Sequence, residues 1–152
     1  MIINGDIRMG RNIGLITGAA SGIGLKTAKR LLKRGWEIHG LDNDKNGLEQ
    51  SWKEIDNSNY IAKPCDLRSE EALKKIFAEI QKNQQKINAL IACAGVLKLG
   101  TLEDMSTEDF DAVFDINVRG LWLSAREALP FLKNAASCGE LSRIILLSSV
   151  SA

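Results

Sequence analysis

The sequence has few of the residues that build metal sites or disulfide frameworks. Three of its 152 residues are cysteines, which lie far apart with no CxxC pair, and one is a histidine. This scarcity argues against a zinc site, and the odd number of cysteines is typical of reduced thiols in the cytosol. We therefore expect a cytoplasmic protein without a metal centre.

Long apolar segments and an excess of one charge are also missing. No apolar run approaches the roughly 20 residues of a membrane span, and the first twelve residues lack the apolar core of a signal peptide. The net charge of +1 gives no electrostatic reason to expect nucleic acid or an anionic membrane as a partner. The composition, with 45% hydrophobic and 26% charged residues, is that of a soluble globular protein. The length predicts one domain, over residues 1–152.

Apolar strands and amphipathic helices alternate along the chain. Strands are predicted over 13–17, 37–42, 60–65, 88–93 and 142–148, and helices over about 21–34, 45–55, 69–82 and 106–135. Strict alternation with apolar strands predicts an α/β fold, in which helices cover a parallel sheet. Such sheets bind ligands at the carboxyl ends of their strands.

Helical spacing also predicts which side chains are buried. In the first helix the predicted buried residues are Ile23, Ala28, Leu31 and Leu32. In the long helix the residues predicted to face the sheet are Phe110, Val113, Phe114, Leu121, Leu129 and Leu132, and Trp122 and Ala125 belong to a second apolar strip. A helix that is apolar on two faces is expected to be buried on two sides.

The first strand continues directly into a glycine-rich turn, TGAASGIG, at residues 17–24. Gly18 would permit a tight turn, Gly22 would let the backbone approach a pyrophosphate, and Gly24 would let the helix pack closely on the strand. The N–H groups at the start of the helix would then face the phosphates. This turn predicts a dinucleotide site.

The second strand ends at Asp42, 18 residues after Gly24. A carboxylate at about this spacing accepts hydrogen bonds from the adenosine ribose and would repel a 2′-phosphate. The glycine turn contains no Arg or Lys that could neutralise such a phosphate. The sequence therefore favours NAD over NADP, although Asp42 could also be a solvated turn residue beside Asn43 and Asp44.

Five motifs in order along the chain resemble the short-chain dehydrogenase/reductase family. They are TGAASGIG (17–24), CDL (65–67), ACAG (92–95), INVRG (116–120) and ILLSS (145–149). The resemblance implies a Rossmann-type doubly wound sheet in the order 3-2-1-4-5, and a homo-oligomer formed through the long helix. The cofactor residues it implies, together with those above, are Gly18, Ser21, Gly22, Ile23, Gly24, Asp42, Asp66, Leu67, Cys93, Ala94 and Gly95.

The resemblance also assigns roles to several of these residues. Asp66 would bind the adenine amino group, with Leu67 beside the ring. Cys93, Ala94 and Gly95 would lie under the cofactor, although the family usually has Asn-Asn where this chain has Ala92-Cys93. Backbone roles should survive that change, whereas side-chain bonds from the asparagines are lost.

Two catalytic residues of the family have counterparts here. Asn117 matches the asparagine of the long helix, and Ser149 matches the serine that binds the oxygen of an alcohol or carbonyl substrate. The family's Tyr-x-x-x-Lys motif has no counterpart, since Tyr60 is the only tyrosine and lies in a strand.

These features leave two hypotheses open. The sequence would be the amino-terminal part of an NAD-dependent oxidoreductase that ends after strand five, or a non-catalytic module that binds NAD or another chain. Under either hypothesis we expect the 152-residue chain to bind the cofactor without turnover, and we expect its fifth strand to be an exposed apolar edge.

Overall fold

The structure, a computed structural model, describes residues 11–149 and has one parallel sheet between two layers of helices. The strand order is β3-β2-β1-β4-β5, with every neighbouring pair parallel. The predicted doubly wound sheet and its strand order are thus confirmed. The strands are β1 (Ile13–Thr17), β2 (Glu37–Asp42), β3 (Tyr60–Pro64), β4 (Ala89–Ala92) and β5 (Arg143–Leu146).

Five α-helices and one π-helical segment connect the strands. The helices are α1 (Gly22–Leu32), α2 (Lys45–Ile55), α3 (Glu70–Asn83), α4 (Thr107–Phe114) and α5 (Leu121–Ser137). The segment between α4 and α5, Asp115–Gly120, is wound as a π-helix and is called the π segment below. Ser69 and Ser106 cap α3 and α4, because their side chains accept hydrogen bonds from backbone N–H groups three residues on.

The core has two layers, one on each face of the sheet. Leu15 of β1 packs in one layer with α3 and α5, and its neighbour Ile16 packs in the other layer with α1 and α2. This division follows from right-handed crossovers on the two sides of β1. Because β1 is buried along its whole length, the turn that follows it starts from a fixed position.

β5 is the least covered strand of the sheet. Ile144, Ile145 and Leu146 pair with β4 through their backbones, yet their side chains are 43%, 47% and 49% exposed. An apolar strip therefore lies open at this side of the sheet.

The predicted long helix is present as one uninterrupted helical segment that includes a π-helical stretch, but its predicted sheet-facing side is partly wrong. Phe110, Phe114 and Leu129 are about half exposed instead of facing the sheet. None of the residues of α4 is buried, and within α5 Leu132 is buried whereas Leu129 is not. The buried side of α5 is formed by Leu123, Ala128, Phe131, Leu132 and Ala135.

Ile23 also differs from its predicted place in the core. It is 62% exposed, whereas Ala28 and Leu32 of the same helix are buried as predicted. Ile23 lies in the first turn of α1, which projects beyond the carboxyl edge of the sheet.

Within residues 11–149, no helix is both long and apolar enough to cross a membrane. Over the same range no cluster of three His, Cys, Asp or Glu side chains is arranged to hold a metal ion.

Candidate cofactor site

A cavity of about 450 Å³ lies at the carboxyl edge of the sheet, where four strands end. Every residue that the sequence predicted for the cofactor lines it. The lining residues are Gly18, Ser21, Gly22, Ile23, Gly24, Leu41, Asp42, Asn43, Cys65, Asp66, Leu67, Cys93, Ala94, Gly95, Val96 and Ile116. The topology thus brings four separate motifs to one cleft, and its volume is within the range of small-molecule sites.

The glycine turn between β1 and α1 depends on the absence of side chains at two points. A Cβ on Gly18 would lie 2.8 Å from the backbone nitrogen of Ala94, and a Cβ on Gly24 would lie 2.1 Å from the carbonyl oxygen of Gly18. Gly18 also has a positive φ of 69°. The turn can therefore pack on β4 and on α1 only with glycine at these positions.

Gly22 has a different reason to be glycine. A Cβ there would meet nothing within 4 Å, but its φ of 53° is strained for other residues. The backbone at Gly22 is thus open to the cavity, as a close approach by a ligand requires.

The amino end of α1 points an unopposed partial positive charge at the cavity. The first N–H groups of a helix have no partner within the helix, and the N-cap residue Ser21 makes no side-chain cap here. The first turn contains no acidic residue that would repel an anion. This end of α1 is therefore suited to phosphate groups.

Asp42 is anchored at the end of β2 by two backbone hydrogen bonds. The N–H of Ala20 donates to Oδ2 at 3.0 Å, and the N–H of Asp44 donates to Oδ1 at 3.0 Å. The carboxylate is thus both a turn-forming group and a link to the glycine turn. Since a carboxylate has about four acceptor positions, it keeps capacity for hydroxyl groups of a ligand.

Asp66 lies across the cavity in the loop after β3 and forms a close ion pair with Arg68. The guanidinium Nη2 donates to Oδ2 at 2.7 Å, and Nε donates to Oδ1 at 3.0 Å. Hydrogen bonding by Arg68 holds the pKa of the Asp66 carboxyl below its ordinary value. Asp66 is therefore an acceptor-only group at neutral pH.

Asn117 lies in the π segment and fastens it to the chain after β4. Its Oδ1 accepts from the N–H of Val96 at 2.8 Å, and its Nδ2 donates to the carbonyl of Val96 at 2.9 Å. On the other side of β4, the N–H of Ala94 donates to Thr17 Oγ1 at 3.2 Å. These bonds fix residues 94–96 along the floor of the cavity, while Asn117 itself does not line it.

Ser149 is exposed a few residues beyond β5, on the same side of the sheet as the cavity. The N–H of Leu147 donates to the carbonyl of Ala92 at 3.1 Å, which continues the pairing with β4 toward this edge. Ser149 is not among the residues that line the cavity. The structure thus brings the residues predicted for the cofactor together in one cavity, whereas Ser149 is outside its lining.

Tyr60 is unsuited to catalysis at this site. It is 2% exposed, its hydroxyl lies 3.3 Å from Ser51 Oγ, and burial raises its pKa. A catalytic acid or base would need the opposite shift, toward neutral pH.

Five lining residues were missed by the sequence analysis: Leu41, Asn43, Cys65, Val96 and Ile116. Four of them are immediate neighbours of predicted residues at the ends of β2, β3 and β4. Ile116 is the first residue of the INVRG motif, so its position beside Asn117 was the available signal.

The model of the short chain dehydrogenase family matches residues 12–152. The chain therefore belongs to the short-chain dehydrogenase family, as the resemblance predicted. A curated relative, 2,3-dihydro-2,3-dihydroxybenzoate dehydrogenase of Bacillus subtilis, is 32% identical over 127 residues, which are 82% of this chain and 49% of the relative. The chain thus spans about half the length of the curated relatives it matches.

Two solved structures resemble the fold closely. The 3-ketoacyl-(acyl-carrier-protein) reductase of Brucella melitensis, complexed with NADH, is 32% identical and matches with a TM-score of 0.80 over 88% of this chain and 55% of that one. The Pseudomonas aeruginosa RhlG/NADP active-site complex is 25% identical and matches with a TM-score of 0.79 over 89% of this chain and 53% of that one. The two neighbours bind different dinucleotides. The preference of this chain for NAD or NADP therefore has to be argued from its own residues.

Proposed function

We propose that this chain is the NAD-binding part of an oxidoreductase that moves a hydride between NAD(H) and an alcohol or carbonyl substrate. The observation that carries the proposal is the single cavity in which the glycine turn, Asp42, Asp66 and residues 93–95 meet. We also propose that the protein acts in the cytoplasm.

The residues fit a dinucleotide from end to end. Gly18 and Gly24 let the turn pack closely on the neighbouring backbone, Gly22 leaves the backbone open to the cavity, and the amino end of α1 offers N–H groups to the pyrophosphate. Asp42 would hold the adenosine ribose, and Asp66 with Leu67 would hold the adenine. Cys93, Ala94 and Gly95 would lie under the cofactor.

NAD, when bound, supplies the hydride chemistry, and the protein supplies position and proton control. Ser149 would donate a hydrogen bond to the substrate oxygen. Asn117 would hold the chain after β4 and thereby the floor of the site. Proton transfer at the substrate oxygen needs an acid or base, and the buried Tyr60 does not provide one.

Charge at the ribose end supports NAD over NADP. Asp42 and Asp66 line the cavity, and none of the lining residues is Arg or Lys. A 2′-phosphate beside Asp42 would meet a like charge without a cation to offset it.

We predict that isothermal titration calorimetry will show tighter binding of NAD than of NADP. Asp42→Asn should weaken NAD binding about tenfold or more, because hydrogen bonds to a charged group contribute about 1.5–3 kcal/mol. The same substitution should reduce the difference in affinity between NAD and NADP. Asp44→Asn is the matched control, since it removes the same charge two residues away and asparagine also caps helices. NADP binding equal to or tighter than NAD binding by the unmodified chain would contradict the assignment.

We predict that the 152-residue chain will bind NAD but will not oxidise alcohols or reduce carbonyl compounds measurably. The reason is that the sequence has one tyrosine, which is buried away from the site, and general acid–base catalysis contributes typically about 10²–10⁴-fold. The absorbance of NADH at saturating cofactor, with a panel of secondary alcohols and ketones, is the measurement. Steady turnover that Ser149→Ala abolishes would refute the prediction, whereas turnover that survives Ser149→Ala would reveal a contaminating enzyme.

An exposed apolar strip on α4, the π segment and α5 supports the proposal of a homo-oligomer. Phe110, Phe114, Val118, Trp122 and Leu129 are 41–56% exposed, and Arg126 lies over the Trp122 ring at 4.8 Å. A strip of this kind is typical of an interface, and a second copy would bury it by two-fold symmetry.

We predict that sedimentation will show a dimer or larger oligomer that Trp122→Lys dissociates. Trp52→Lys provides the control, because Trp52 on α2 is also 55% exposed but lies outside the strip. A monomer at all concentrations, or equal dissociation by both substitutions, would argue against this interface.

A further inference from the structure

Both carboxylate oxygens of Asp66 accept hydrogen bonds from Arg68. In addition to the two bonds above, Nε lies 3.1 Å from Oδ2, and the backbone N–H of Arg68 donates to Oδ1 at 3.0 Å. The planar guanidinium thus sets the plane and direction of the carboxylate, which a single-point contact would not do. Asp66 and Leu67 line the cavity, whereas Arg68 does not.

Arg68 is itself held by the π segment. Arg119 Nη1 donates to the carbonyl of Arg68 at 2.8 Å. Gly120 packs against Leu67 so closely that a Cβ would lie 2.9 Å from the Leu67 Cβ. The loop that carries Asp66 is therefore held in place by the π segment.

The hydrogen bonds to Asp66 leave a defined acceptor. Oδ1 receives the backbone N–H and the shorter Nε contact, while Oδ2 receives Nη2 and the longer Nε contact. Within residues 11–149 the hydrogen bonds to this carboxylate all come from Arg68. Because the Nε–H group is shared between the two oxygens, three N–H groups bind the carboxylate, which has about four acceptor positions and so keeps one for a donor in the cavity.

The pair contributes little to stability. Asp66 and Arg68 have side chains 38% and 48% exposed, and ion pairs with this exposure contribute little to the free energy of unfolding. Its four hydrogen bonds instead restrict the carboxylate to one orientation. A geometric effect on a ligand is therefore separable from an effect on folding.

We propose that Arg68 is a positioning residue that aims Asp66 at the amino group of the cofactor's purine and so selects a 6-amino over a 6-keto base. The proposal rests on the proposed NAD site and adds the residue that sets its base preference. An ionised carboxylate accepts from an amino group but opposes a carbonyl oxygen, and the preference depends on where the carboxylate points.

The test compares NAD with nicotinamide hypoxanthine dinucleotide, which has a keto group in place of the adenine amino group. Binding of both is measured by calorimetry at neutral pH. The unmodified chain should bind NAD at least about tenfold more tightly, since a site built to accept from a donor discriminates against an analogue without it. Asp66→Asn should remove most of this preference, because an amide can both donate and accept.

Arg68→Gln should reduce the preference to less than about threefold, mainly by weakening NAD. Arg68→Lys should resemble Arg68→Gln, because lysine keeps the charge but not the planar fork. Arg34→Gln is the control, since it removes one exposed arginine from the far end of α1. The thermal midpoints of the Arg68 variants should stay close to that of the unmodified chain.

The outcomes separate the two proposals. If the unmodified chain binds neither dinucleotide, the proposed function and the role of Arg68 both fail. If it binds both equally, the NAD site stands but base selection by Asp66 fails. If it prefers NAD and either Arg68 variant keeps the full preference, the positioning role of Arg68 is refuted.

Discussion

The site depends on how closely three pieces of backbone approach one another after β1. Gly18 lies against Ala94, and Gly24 lies against Gly18, at distances that leave no space for a Cβ on either glycine. This packing joins the end of β1 to the end of β4 and to the start of α1. This packing positions the amino end of α1, Asp42 and residues 94–96. The N–H of Ala20 donates to the Asp42 carboxylate, and the N–H of Ala94 donates to the Thr17 hydroxyl.

The π segment is the second organising element, and it contacts both ends of the cavity. Through Asn117 it holds Val96 after β4, and through Arg119 and Gly120 it holds the loop of Leu67 and Arg68 after β3. π turns occur frequently at functional sites because the extra residue redirects side chains. Here the redirected side chains brace two loops that are separate in sequence.

The sequence was sufficient for the parts of the fold that depend on local pattern. Apolar strands, the Ser69 and Ser106 caps and the glycine turn have strong local signals, and Gly18 and Gly24 have close contacts that agree with the reasons predicted for them. The predictions for Phe110 and Phe114 were wrong because α4 buries none of its side chains, which helical spacing alone does not show. The Asp66–Arg68 pair could not be predicted, since side-chain orientation in a loop depends on the packing behind it.

The most direct test of the cofactor site is protection of Cys93 from alkylation by NAD. Cys93 lines the cavity, and Cys138 is exposed outside it, so each molecule contains its own control. Labelling is best followed by peptide mass spectrometry at mildly alkaline pH, because burial raises the pKa of the Cys93 thiol. Saturating NAD should slow the labelling of Cys93 and leave the labelling of Cys138 unchanged. Equal labelling of Cys93 with and without NAD, under conditions in which calorimetry detects binding, would contradict it.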